Sequence, residues 1–210
     1  MDKTKIAVDV FNASATNYQN KFMDVSLYHN TFDVFCNSIA KKDAAVLELA
    51  CGPGNITQYL LKQRPQFKIL GTDLAPNMLE LAKINNPSAE FRLMDCRDLA
   101  ALNKKYDAIM CGFCLPYLSK EEAMQLISDA AKIINEGGVI YISTMEDDYN
   151  KSGWKYSSSG EYKTFTHYHQ VNYLTKALIE NGCTIIDLQR KEYPDQSGGK
   201  VVDLILIAKK

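Results

Sequence analysis

The run VLELACGPGNIT, Val46 to Thr57, places Gly52 and Gly54 just after a short, mostly apolar segment. Glycine at such a turn permits positive φ and lets a ligand approach the backbone closely. A helix starting immediately afterwards adds exposed N–H groups. A dinucleotide-binding turn wants a third glycine, but position 57 is Thr. Glu48 precedes the glycines, and a carboxylate there disfavours a pyrophosphate and favours a cation. Further along, Asp73 in ILGTDLAP has two oxygens that can take both hydroxyls of a ribose. Asp95, beside Cys96 in FRLMDCRDL, can accept a hydrogen bond from an adenine amino group. The turn CGFCLPYL, Cys111 to Leu118, contains a C-x-x-C made by Cys111 and Cys114. With no second such pair, these cysteines read as small pocket-lining residues rather than as zinc ligands or a redox pair. No metal site is expected.

The elements that must position these residues follow from periodicity. Phe11, Tyr18, Phe22, Val25, Tyr28, Phe32, Phe35 and Ile39 recur at helical steps, with a break or cap near Asp24 or Ser26. Apolar runs then alternate with helical patterns. Strands are expected over 45–50, 67–72, 90–94, 106–111 and 139–144. Helices are expected over 57–62, from Pro76 to about Asn85, and over 120–135. The last has Ser119 as N-cap and Gly137-Gly138 as its stop. Strands apolar on both faces that alternate with helices imply a parallel sheet covered on both sides. A helix over 173–181, stopped by Gly182, precedes strands over 184–188 and 201–208. Those two strands are joined by a polar loop containing Pro194, Ser197, Gly198 and Gly199 and should pair antiparallel. The expectation is one α/β domain over 1–210: a Rossmann-like, doubly wound sheet of about seven strands, mostly parallel, with the last reversed. Within it, 1–42 form a helical cap, 43–144 the core, 145–170 an insertion, and 171–210 the closing helix and strand pair.

Each candidate turn falls at the end of a successive strand, so all converge on one sheet edge. Segment 145–170 leaves the same edge and is too long for a simple connection. Its aromatics Tyr149, Trp154, Tyr156, Tyr162, Phe165 and Tyr168 are suited to walling an apolar or cationic molecule. Trp154 reads equally well as a plain anchor of the loop. His167 and His169 share a face if their segment is a strand. A solvent-exposed hairpin is the foremost reading for them, a substrate wall the next.

Composition sets the outer limits. The 210 residues are 46% hydrophobic and 23% charged, ordinary for a globular chain. Twenty-four Lys plus Arg against 25 Asp plus Glu leave a net charge of -1, which gives no reason to expect nucleic acid as a partner. The N-terminus MDKTKIAVDV has no long apolar core and no small-residue cleavage site. No run approaches the ~20 apolar residues of a membrane helix, so no membrane partner is expected. The six cysteines sit mainly in or beside apolar runs and read as free thiols of a cytoplasmic protein.

Taken in this order, the motifs resemble the class I (Rossmann-like) S-adenosylmethionine-dependent methyltransferase family. The resemblance is good over roughly Phe11 to Ser143 and loose beyond. ELACGPG is similar to the family's E/D-x-G-x-G-x-G turn, with Ala50 where the first glycine often stands. The resemblance implies cofactor contacts from Tyr18, Glu48, Ala50, Cys51, Gly52, Gly54, Asp73, Leu74, Met78, Asp95, Cys96 and Cys111. Within that set Asp73 is the ribose-binding acid, Asp95-Cys96 lies beside adenine, and the Cys111 carbonyl faces the methionine amine. Phe11 to Lys21 resembles the segment that lies over the cofactor. Pro116-Tyr117 stands where many members have paired histidines or aromatics. The implied function is methyl transfer from S-adenosyl-L-methionine, leaving S-adenosyl-L-homocysteine, to a small-molecule acceptor. Alignment and exclusion of water are then the main demands. A base is optional, with Asp147, His167 and His169 as candidates and none assigned as catalytic. A non-catalytic cofactor-binding domain, acting as sensor or activating partner, is the alternative. A nicotinamide-dependent oxidoreductase fits less well, given the missing third glycine and the reversed last strand.

Overall fold

The computed structural model describes residues 2–157, 160–194 and 199–210. Ser197 and Gly198 of the expected polar loop lie outside them. The N-terminal helical stripe resolves into helices α1 (Lys3–Ala13), α2 (Ala15–Phe22) and α3 (His29–Ser38). Asp2 caps α1 by accepting from the Thr4 and Lys5 N–H groups at 3.0 and 3.2 Å. The break before α3 falls where Asp24 accepts from the Ser26 N–H and opens a short 3-10 turn.

The alternating segment forms β1 (Ala45–Leu49), α4 (Asn55–Gln63), β2 (Lys68–Asp73), α5 (Pro76–Asn85), β3 (Glu90–Leu93), β4 (Tyr106–Gly112), α6 (Lys120–Ile133) and β5 (Ile134–Met145). A two-stranded hairpin follows, β6 (Gly153–Tyr156) and β7 (Lys163–Thr166). Helix α7 (Val171–Glu180) leads to β8 (Thr184–Pro194) and β9 (Lys200–Lys209). The main sheet has seven strands in the order β3-β2-β1-β4-β5-β9-β8. Pairing is parallel from β3 through β5, and β9 is antiparallel to both neighbours. The reversed strand therefore lies inside the sheet, between β5 and β8.

Strand alternation divides the core into two layers. Leu47, Leu49, Ile109 and Ile142 face α6 and α7, meeting Leu126, Ile127, Leu174 and Leu178. Val46, Ile69, Met110 and Tyr141 face α3 and α4, meeting Phe32, Phe35 and Leu60. Helix α3, expected as part of a separate cap, is thus one of the sheet's covering helices. Ser119 caps α6 in a capping box with Glu122, as its spacing suggests. The C-terminal stop differs from expectation. Helix α6 passes directly into β5 at Ile134, and Gly137-Gly138 lie within that strand. The register there jumps between Tyr106↔Ile134 and Ala108↔Val139, so the glycine pair makes a bulge rather than a helix cap. Among the described residues no helix is long and apolar enough to cross a membrane, and all six cysteines are free.

Candidate functional site

Sheet order reverses direction between β1 and β4, whose ends pair at Leu49↔Cys111. Chains leaving those two strands must part, which opens a crevice at their carboxyl ends. A cavity of about 730 Å³, its open mouth included, occupies that crevice. Its floor comes from the turns after β1 to β4, and its roof from α1 and α2.

Of the residues singled out in the sequence, Tyr18, Ala50, Gly52, Asp73, Leu74, Met78 and Cys96 line this cavity. Asp73 organises the floor. Its Oδ2 accepts from the Gly52 N–H at 2.9 Å and its Oδ1 from the Ala75 N–H at 2.8 Å. Burial pushes its carboxyl up, and these backbone donors work against that shift. Each oxygen keeps a lone pair for a ligand hydroxyl. Tyr18 roofs this corner, with its phenol pushed up to about 12 by burial and by the nearby Asp73 charge. Phe11 packs edge-on between Tyr18 and Tyr117, with ring centroids 5.6 and 5.0 Å apart.

The other candidates do not line the cavity, for identifiable reasons. Alternation along β1 turns Glu48 toward α4, where its carboxylate accepts from the Thr57 hydroxyl. Burial raises its pKa to about 8, against the Thr57 hydrogen bonds. Cys51 is buried beneath its turn. Gly54 is a packing residue: a Cβ there would lie 2.4 Å from Asn86 Nδ2, so α4 approaches the end of α5 only with glycine at this position. Asp95 pairs with Arg97, which reaches it at 3.0 and 2.6 Å and continues to Glu122 at 2.9 Å. Burial alone would raise the Asp95 carboxyl, but the Arg97 contacts hold it below its usual value. The Cys111 side chain enters the core on the α6 side.

Sequence reasoning missed much of the wall. Thr4, Ala7 and Val8 line it beside Phe11, one face of α1 at helical spacing. The stripe therefore starts at Thr4, about two turns earlier than its first aromatic, Phe11. Met94, Gly112, Phe113 and Leu118 complete the lining, beside Cys114, which the sequence did read as pocket-lining, and Tyr117 of the Pro116-Tyr117 pair. The turn from Cys111 to Leu118 carried the signal for most of these. Backbone strain marks the same place. Ala50 and Phe113 have φ of 50° and 54° and are the non-glycine residues at positive φ among those described. Both line the cavity. Such strain costs of order 1–3 kcal/mol per residue and gathers at binding sites.

The insertion acts at one remove. None of its aromatics and neither histidine lines the cavity. His167 and His169 are 6% and 0% exposed, so the solvent-exposed hairpin expected for them is not what forms. His169 contacts the Leu115 carbonyl through Nε2 at 2.8 Å and the Tyr173 hydroxyl through Nδ1 at 2.7 Å. The His167 N–H donates to the Pro116 carbonyl at 2.7 Å. Both brace the Leu115–Tyr117 turn from behind. Lys3 Nζ sits 3.4 Å from the Phe165 ring centroid, tying α1 to β7. Trp154, 40% exposed, packs edge-on against Phe165, its partner across the hairpin. Asp147 is paired with Lys151 at 2.8 Å, away from the cavity.

Known proteins agree with this geometry. Residues 46–138 match the Methyltransferase domain family. A putative methyltransferase of Invertebrate iridescent virus 6 is 30% identical over 133 residues, covering 56% of this chain and 49% of its own. Trans-aconitate 2-methyltransferase of Variovorax paradoxus is 35% identical over 99 residues, 47% of this chain and 38% of its own. The chain thus spans about half the length, or less, of these curated relatives. The magnesium protoporphyrin IX methyltransferase of Synechocystis PCC 6803, solved with S-adenosylmethionine bound, superposes with TM-score 0.74 at 19% identity, covering 100% of this chain and 98% of that one. Sheet order, the turns at the switch point and these likenesses place the chain in the class I, Rossmann-like S-adenosylmethionine-dependent methyltransferase fold.

Proposed function

We propose that the chain is a methyltransferase that uses S-adenosyl-L-methionine to methylate a small-molecule acceptor. The observation that carries this reading is the cavity at the switch point, with the Asp73 carboxylate oriented in its floor by two backbone N–H groups. The residues present fit the cofactor. Asp73 would take the ribose hydroxyls. Leu74, Met78 and Cys96 offer an apolar flank for adenine, and the Ala50–Gly52 turn offers close backbone approach. Tyr18 would close over the sugar. When bound, the cofactor supplies a methyl group activated on a sulfonium, and S-adenosyl-L-homocysteine is what remains.

The chain's own part is orientation and exclusion of water. Phe11, Phe113 and Tyr117 supply an apolar wall beyond the floor. Among the described lining residues there is no Lys, Arg, His or Glu. Burial keeps the Tyr18 and Tyr117 phenols protonated, and Cys96 and Cys114 are held as thiols. This supports an acceptor whose reacting atom needs no side-chain base. The trans-aconitate methyltransferase among the relatives supports an acceptor of metabolite size, and the free thiols support a reducing, cytoplasmic setting. The net charge of -1 lends no support to nucleic acid as acceptor.

Thermal unfolding with S-adenosylhomocysteine, NAD and NADP in parallel tests the reading. A ligand at ~100 times its dissociation constant adds ~2.7 kcal/mol, here a rise of roughly 5–11 °C. A rise with S-adenosylhomocysteine is expected. A rise only with the nicotinamide dinucleotides would reject it.

A further inference from the structure

The free thiols are unevenly placed. Cys36 and Cys183 are packed into the core layers. Cys96 and Cys114 both line the cavity, and their sulfurs are 3.2 Å apart. They follow β3 and β4, which are not neighbours in the sheet because β2 and β1 lie between them. A covalent link between these thiols would therefore tie two turns together across the cavity floor. Neither thiol has a part in the methyl-transfer reading beyond shaping the wall. Cys96 is half-buried and open to the cavity, whereas Cys114 is 3% exposed.

We propose that Cys96 and Cys114 form a modification site for hydroperoxides, converted to a disulfide that weakens binding of an adenosyl ligand in the cavity. In the first step the Cys96 sulfur attacks one peroxide oxygen. An S–O bond forms as the O–O bond breaks, sulfur gives up two electrons, and the departing oxygen takes the thiol proton, leaving as water from hydrogen peroxide or as an alcohol from an alkyl hydroperoxide. In the second step the Cys114 sulfur attacks the sulfenic sulfur of Cys96. The S–S bond forms, the S–O bond breaks, and the hydroxide leaves with the Cys114 proton as water. The sulfurs need to close by only about 1.2 Å to reach the bonded distance of ~2.05 Å.

A hydrogen bond with Cys114, together with burial, raises the Cys96 pKa well above its usual value. A hydrogen bond with Cys111 raises that of Cys114, partly offset by the Cys96 contact. Thiolate is therefore scarce and the first step slow compared with an exposed reactive cysteine. The second step is intramolecular between groups already in contact, so condensation outruns further oxidation of the sulfenic acid. Cys111 is a competing partner for Cys114, but it does not line the cavity.

The test uses the full chain, reduced, then treated with hydrogen peroxide, alkylated and mapped by mass spectrometry. A Cys96–Cys114 cystine is expected, with Cys36 and Cys183 still alkylated. Calorimetry with S-adenosylhomocysteine should show affinity falling at least ~10-fold on oxidation and recovering with dithiothreitol. Saturating the protein with S-adenosylhomocysteine before peroxide should slow cystine formation. Cys96→Ser should bind S-adenosylhomocysteine equally before and after peroxide, and Cys114→Ala gives the same reading if the serine variant does not fold. A Cys111–Cys114 cystine, or no cystine, would overturn the pairing. A Cys96–Cys114 cystine with unchanged affinity would overturn its consequence. The affinity readout rests on the cavity being the adenosyl site. Reduced protein that binds no S-adenosylhomocysteine rejects that reading and with it the affinity effect, while the cystine map still decides the pairing.

Discussion

The floor and the roof of the cavity are built on different principles. The floor is a set of strand-end turns whose positions follow from sheet register, pinned by backbone groups such as the Gly52 and Ala75 N–H on Asp73. The roof is a helix face of small and aromatic side chains, held by a few tertiary contacts. The Thr4 hydroxyl donates to the Tyr117 carbonyl at 3.1 Å, and Lys3 reaches Phe165. Behind the roof the insertion is a brace, with the buried His169 at its centre. The floor is fixed by sheet register and backbone groups, whereas the roof is fixed by side-chain contacts that substitution can change one at a time. On the function proposed above, the floor and Tyr18 serve the cofactor, and the rest of the roof is where acceptor choice is sought.

Substitutions can break that contrast. Asp73→Ala should have the largest effect on binding. It removes the proposed ribose acceptor and leaves the Gly52 and Ala75 donors without their carboxylate. At roughly 1.5–3 kcal/mol per charge-assisted hydrogen bond, S-adenosylhomocysteine affinity should fall at least ~100-fold by calorimetry. His169→Ala should instead lower stability, by about 2–3 kcal/mol in urea, because the Leu115 carbonyl and Tyr173 hydroxyl lose a buried partner.

The two regions should also differ in pH dependence. Burial lowers the His169 pKa to about 4, partly offset by its hydrogen bond with Leu115. Between about 4 and 6.5 the unfolded chain binds more protons at this residue, so its contribution to stability rises with pH there. Glu48 has the opposite sign. With a folded pKa of about 8 it stays protonated where an unfolded Glu has ionised, so its contribution falls as pH rises from about 4 to 8. Unfolding across pH 4–9 should show the falling limb flattened in Glu48→Gln, an effect of a few kcal/mol at about 1.4 kcal/mol per pKa unit. The rising limb should be flattened in His169→Ala.

Smaller effects sharpen the picture. Ala50→Gly removes the steric cost of φ 50° but adds backbone freedom to the unfolded chain, for a net gain of about 0.5–1 kcal/mol. Lys3→Ala should cost no more than ~1 kcal/mol, the scale of one exposed cation–π contact. Both are measurable as shifts of the urea midpoint.

The floor was legible because its signals are chemical and local. A carboxylate or glycine at a strand end has few reasons to be there, and parallel strands announce themselves as apolar runs. The roof was legible at Phe11 and Tyr18 but not at Thr4, Ala7 and Val8, ordinary helix residues whose role depends on where α1 lands. The pairing of Asp95 with Arg97, only two residues away, was not legible either, since sequence does not say which way Arg97 turns. Gly137-Gly138 suits a helix stop and a strand bulge equally, and the register with β4 decides between them. The φ of Phe113 has no sequence signature at all, since glycine is the residue that usually marks such a conformation.

A crystal structure of the chain with S-adenosylhomocysteine tests the central claim most directly. It should show the ribose hydroxyls on Asp73, adenine against Leu74, Met78 and Cys96, and the sulfur facing the wall of Phe11, Phe113 and Tyr117. A ligand bound elsewhere, or a floor cavity that stays free of it at saturating concentration, would contradict the account.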